Sequence, residues 1–194
     1  MSLLVKASEL TKRPVVTLSG DDVAQVKDVV FDSSGGSVVG VTLAGRGLFA
    51  GPLKEVLPWS AVLACGRDAV MVADEGALAE REDVVEAVAG GPDVLGSRVI
   101  TDGGTELGKV VDVVIEVGDE HGRRTEADVV GYEVASGPAT GRPGRHVYIP
   151  LPDTLSVSGE ALMVPAAATE FVCDDLAGFG AAVDAFRARL RGGR

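Results

Sequence analysis

Acidic residues recur at matched places in this sequence: Asp28 with Asp112, and Asp32 with Glu116, each pair 84 residues apart. Paired carboxylates do acid–base work, or hold a metal ion, when they converge on one cleft. Here each half of the chain carries its own copy. The pattern therefore predicts a structural task, such as accepting hydrogen bonds from backbone amides in turns. Other reactive side chains offer less. His121 and His146 are the two histidines, both in glycine- and arginine-rich stretches without a Cys or second His at ligand spacing, and are expected to face solvent. Ser60 and Cys65 have no histidine nearby, and no Gly-x-Ser-x-Gly elbow occurs. Cys65 and Cys173 lack Cys-x-x-Cys spacing and read as separate, reduced thiols. No catalytic residue, metal ligand or cofactor is predicted.

Gly45, Gly47 and Ala50 satisfy a Gly-x-Gly-x-x-Ala pattern after a predicted strand, the form of a dinucleotide-binding turn. Such a turn needs a helix whose N-terminus faces the pyrophosphate. Pro52, then Leu57, Pro58 and Trp59, leave no room for that helix. The same loop sets Arg46, Leu48 and Phe49 among Gly45, Gly47 and Gly51, an apolar tip beside a guanidinium, which is the composition interfaces favour. Arg46, Leu48 and Phe49 are expected to bind a protein partner; the alternative is that Phe49 plugs its own barrel. The second half has SGPATGRPGRH at that place, with no apolar pair, so the first half is the expected recognition surface.

The elements that must position these residues are written twice. Residues 20–32, GDDVAQVKDVVFD, return at 104–116 as GTELGKVVDVVIE, with Gly20, Val26, Asp28, Val29 and Val30 meeting Gly104, Val110, Asp112, Val113 and Val114. Val15, Val16 and Thr17 likewise meet Val99, Ile100 and Thr101. Each repeat reads as strand, tight turn, long strand, hairpin and returning strand. Strict alternation would put Lys27, Val29 and Phe31 on one face of the long strand and Val26, Asp28 and Val30 on the other. The returning strands are 37–43 and 128–134, now 91 residues apart, so the second hairpin has gained seven residues within 117–127. Further strands follow at 68–72 and 160–164, and strands this short and closely spaced close a small antiparallel barrel.

The sequence divides into a first barrel (1–74), a linker helix (75–93), a second barrel (94–166) and a C-terminal helix with its tail (167–194). On the last helix Leu176, Phe179, Val183, Phe186 and Leu190 step by three and four, a stripe built for burial. These five residues are the expected self-association surface, giving a homodimer. With 194 residues, 46% hydrophobic and 4% aromatic, the chain is globular and rich in Val, Ala and Leu. A net charge of −11 disfavours a nucleic-acid partner, because phosphate binding draws on clustered Lys and Arg. The basic run RARLRGGR at the end reads as a solvated helix terminus. No apolar run reaches the length of a transmembrane helix and no signal pattern opens the chain, so a cytoplasmic location is expected. Arginine outnumbers lysine and asparagine is absent, as in GC-rich bacterial genomes.

The run KASELTKRPVVT, the segment VKDVVFD after its turn, the strand VVGVTL, then LPWSAV and DAVMV, together resemble the PRC-barrel family, over most of residues 3–74 and again over 94–165. This family includes the cytoplasmic domain of the photosynthetic reaction centre H subunit and the C-terminal domain of a ribosome maturation factor. The resemblance implies two tandem, mainly β barrels of the PRC type that dock onto other macromolecules, without catalytic residues. The expected function is a non-enzymatic adaptor or scaffold. The alternatives are an RNA- or ribosome-associated assembly factor, and a small-ligand carrier or enzyme using a cleft between the barrels.

Overall fold

A computed structural model of the chain describes residues 3–32, 36–47, 50–80, 94–120, 124–152, 156–158 and 161–192. The chain forms two compact units. Unit 1 comprises Met1–Ser33, Ser37–Gly91 and Glu116–Asp128; unit 2 comprises Ser34–Gly36, Pro92–Ile115 and Val129–Arg194.

The first repeat supplies β1 (Leu3–Lys6), α1 (Ala7–Leu10), β2 (Pro14–Thr17), β3 (Asp22–Phe31), β4 (Val38–Ala44), β5 (Pro52–Pro58), β6 (Val62–Cys65), β7 (Val70–Val72) and β8 (Ala79–Glu80). Its sheet has the order β6-β7-β2-β3-β4-β5-β8. The second repeat supplies β9 (Arg98–Thr101), β10 (Glu106–Glu120), β11 (Arg124–Ser136), β12 (His146–Pro150), β13 (Ser156–Ser158), β14 (Ala161–Val164) and α2 (Leu176–Gly192). Its sheet runs β12-β11-β10-β9-β14-β13, with β1 added beside β10.

The repeat seen in sequence is a repeat of hydrogen bonds. Thr17 and Thr101 are each 2% exposed. The Thr17 hydroxyl accepts from Asp21 N at 3.0 Å, and the Thr101 hydroxyl accepts from Thr105 N at 3.0 Å. Gly20 N donates to Thr17 O and Gly104 N to Thr101 O. Both glycines take positive φ, +94° and +80°, which explains why this turn keeps glycine in both copies.

Two expectations about the strands are corrected. The sheets are mixed, not purely antiparallel. β2 runs parallel to β7, with Val15 opposite Val70, and β9 runs parallel to β14, with Val99 opposite Leu162. The cause in the first repeat is the 3-10 turn Trp59–Ala61, which moves the chain sideways without reversing it. β5 and β6 therefore run in the same sense, and β7 returns alongside β2. Strict alternation also fails in β3, because the register against β4 shifts between Val26 and Asp28. That bulge resets the pleat and buries both Val26 (2% exposed) and Val29 (8%). The span expected as a linker helix opens differently: Glu75–Ala77 form a 3-10 turn and Ala79–Glu80 pair with β5 as β8. Residues 81–93 lie outside the described residues.

Each repeat places a glycine opposite a proline, Gly40 against Pro58 and Gly131 against Pro150. A Cβ on Gly40 would stand 2.7 Å from Leu57 O, and one on Gly131 would stand 2.5 Å from Ile149 O and 2.3 Å from the Phe179 ring. That ring belongs to α2, which begins where Asp175 Oδ1 accepts from Gly178 N at 2.8 Å. Phe179, Val183 and Phe186 are buried within unit 2, with Phe179 5.7 Å from the Tyr148 ring and Phe186 5.5 Å from Phe171. Three of the five residues expected to pair subunits are thus occupied in packing α2 onto β12 and the 3-10 turn Ala166–Phe171. Leu176 and Leu190 are half-buried.

The Gly131→Ala substitution is expected to destabilise the protein by about 2–3 kcal/mol, through overpacking against Phe179 and the β12 backbone. Urea unfolding followed by circular dichroism measures this; an unchanged midpoint would show that α2 does not hold the position found here.

Candidate functional site

Unit 1 carries an open groove of about 440 Å³ lined by Ser37, Val38, Val39, Trp59, Ser60, Thr125, Glu126, Ala127 and Asp128. Its origin lies in how β4 finds neighbours along one edge. Asp32 N donates to Ser37 O on the β3 side, so the other edge is left for β5. β5 follows β4 only as far as Gly40 opposite Pro58, and the chain then turns away at Trp59. The next partner along that edge is Asp128, bridged to Ser37, and the Ser37 hydroxyl donates to Asp128 Oδ1 at 2.7 Å. Between these two pairings the edge of β4 passes from β5 to β11, and no backbone hydrogen bond joins Val39 to Trp59 among the described residues.

The far wall comes from the hairpin residues that the second repeat gained. Thr125 fastens them, its hydroxyl donating to Leu63 O at 3.0 Å. Val38 and Ala127 are 5% and 3% exposed and Trp59 4%, so the floor is apolar and packed. Among the described residues the buried Trp59 indole N–H has no hydrogen-bond acceptor, which costs roughly 1–3 kcal/mol. Glu126 and Asp128 are exposed and place two carboxylates at the rim, and among the described residues no Lys or Arg lines the groove.

Arg46 is exposed in the loop after β4, which is closed by Gly45 N donating to Gly51 O at 3.0 Å and Ala50 N to Gly47 O at 3.2 Å. Strand β5, not a helix, follows this loop, as its prolines require. Leu48 and Phe49 lie outside the described residues. Arg46 and the groove stand at opposite ends of β4, roughly 20 Å apart at about 3.3 Å per residue.

The repeated aspartates cap backbone amides: Val29 N donates to Asp28 Oδ1 at 2.9 Å, and Val113 N to Asp112 Oδ1 at 2.8 Å. His121 lies outside the described residues. His146 has an exposed side chain, yet its Nδ1 is 2.8 Å from Oε1 of the buried Glu133, a pairing across β11 and β12 that the sequence did not indicate. Cys65 and Cys173 are free thiols. Burial pushes the Cys65 thiol above its ordinary range, against the opposing pull of Arg13, whose Nη1 is 3.8 Å from Sγ. Burial, with Asp175 and Asp174 adding to it, raises Cys173 against the pull of Arg142. Neither thiol is set up as a nucleophile. Among the described residues no three His, Cys, Asp or Glu side chains gather as they would around a metal ion.

Sequence reasoning missed the groove. One signal was present: charged Glu126 and Asp128 alternate with uncharged Thr125 and Ala127 as on a strand, and the structure buries Thr125 and Ala127 while exposing Glu126 and Asp128.

These two curled, mainly β sheets define a protein of tandem small β barrels. The PRC-barrel domain model matches the chain twice, over residues 4–78 and 88–170, and the chain belongs to the PRC-barrel family. No curated protein sequence matches it. No helix among the described residues is long and apolar enough to cross a membrane.

The Asp112→Ala variant, which removes a cap only 7% exposed, is expected to lose about 1–2 kcal/mol in urea unfolding. An unchanged stability would contradict the capping role.

Proposed function

We propose that this chain is a non-enzymatic cytoplasmic adaptor that docks a protein partner through unit 1. The observation that carries this reading is the groove itself. Its apolar floor of Val38, Trp59 and Ala127 is rimmed by hydroxyls and carboxylates, the anatomy of an interface patch with a desolvated centre and a polar edge. Trp59 supplies the residue type most often found at the centre of binding energy. The loop carrying Arg46, Leu48 and Phe49, at the other end of β4, is a second contact for the same partner. An RNA partner fits less well, because the rim is anionic and the whole chain carries a charge of −11. The openness of the groove favours a macromolecule over an enclosed small ligand.

The test is photo-crosslinking in the native host with p-benzoylphenylalanine placed at Ser60, at Arg46, or at the exposed helical position Arg189. One protein captured through Ser60 and not through Arg189 is the expected result. Capture through Arg46 alone would move docking to the loop, and no capture at either position would overturn the adaptor reading.

A further inference from the structure

We infer that the groove of unit 1 accepts an arginine or lysine side chain presented by the docked partner. This rests on the docking reading and adds the chemistry of the occupant. Three features of the groove select a long cationic side chain. The first is the gap itself. β4 pairs with β5 only as far as Gly40 and meets β11 at Ser37, so the interruption falls at Val39, which leaves an opening for one side chain and too little edge for an added strand.

The second is the order of chemistry from floor to rim. Val38 and Ala127, with Trp59 beside them, form the apolar part, and Glu126 and Asp128 stand exposed at the edge. Lysine and arginine match this order, because their methylene stems bury against apolar surface while the charged head stays in water. A purely apolar occupant would strip water from the carboxylates and return nothing. An acidic one would meet two like charges.

The third is electrostatic complementarity. The Glu126 side chain makes no ion pair or hydrogen bond among the described residues, whereas Asp128 already accepts from Ser37. Glu126 is therefore the carboxylate available to a guanidinium or ammonium group, with Asp128 in support. A chain of net charge −11 also attracts a cationic segment before contact, which speeds association.

The sequence contains one tryptophan, Trp59, so its fluorescence reports on the groove alone. The experiment titrates the full chain with three blocked heptapeptides, Gly-Ser-Val-X-Val-Ser-Gly with X as Arg, Met or Glu. Binding is read from Trp59 emission and from the amide shifts of Val38, Val39 and Ala127. The Arg peptide is expected to move these amides and to bind more tightly than the other two. Added salt and Glu126→Gln should each weaken it, the variant by about 1.5- to fivefold, as for an exposed ion pair at a rim. Equal binding by the Met or Glu peptide, shifts confined to other amides, or no binding at all would overturn the inference. The crosslinking outcome at Ser60 separates the two ideas. A partner captured there together with indifference to X removes the cationic occupant and leaves docking standing, while failure of capture removes docking itself.

Discussion

A glycine packed against a proline across two strands sets the terms for both halves of this protein. At Gly40 and Gly131 the facing backbone is so close that a Cβ would overlap a carbonyl oxygen. Pro58 and Pro150, which have no N–H to donate, then release the returning strand from its ladder. What each repeat does after that release distinguishes them. In unit 2, Leu151 N donates to Val130 O at 3.0 Å and carries the pairing one step further, and Phe179 of α2 fills the space above Gly131. In unit 1, among the described residues, no such bond joins Trp59 to Val39, and the edge of β4 is interrupted there before β11 takes it up at Ser37. The groove is that opening.

Duplication supplies a frame, and the departures from it supply the candidate function. The frame is the Thr-Gly turn, the amide-capping aspartate and the parallel strand that closes each sheet, all present in both copies. The departures are a hairpin with seven additional residues and a C-terminal helix. The helix completes the core of unit 2. Residues Glu116–Asp128 belong to unit 1, where Thr125–Ala127 of the lengthened hairpin wall the groove and set Glu126 at its rim beside Asp128, the counterpart of Ser37. Residues gained by one repeat thus build a surface on the unit formed around the other.

The sequence made the frame legible because its causes are local. Gly20 and Gly104 mark a turn that needs positive φ, and the spacing of Phe179, Val183 and Phe186 marks a buried helical face. Non-local causes were hidden. The parallel pairing of β2 with β7 depends on a 3-10 turn between β5 and β6 that shifts the chain without reversing it, and Trp59–Ala61 gives no sign of this in its residue types. The bulge at Asp28 was hidden for the same reason, since it exists only relative to β4. The stripe on α2 announced burial but not its partner surface, which is set by Gly131 and Tyr148 far earlier in the chain. The groove needed three segments brought together, residues 37–39, 59–60 and 125–128, and no motif links them.

The central claim is that the gained hairpin is a built wall of unit 1, and the most direct measurement is acrylamide quenching of Trp59 in a chain whose residues 117–127 are replaced by the turn sequence of residues 32–36. Trp59 is 4% exposed. With the fold verified by circular dichroism, the account predicts that the shortened hairpin leaves Trp59 markedly more accessible to quencher. Quenching identical to that of the intact chain would mean that the hairpin does not stand where the groove requires it.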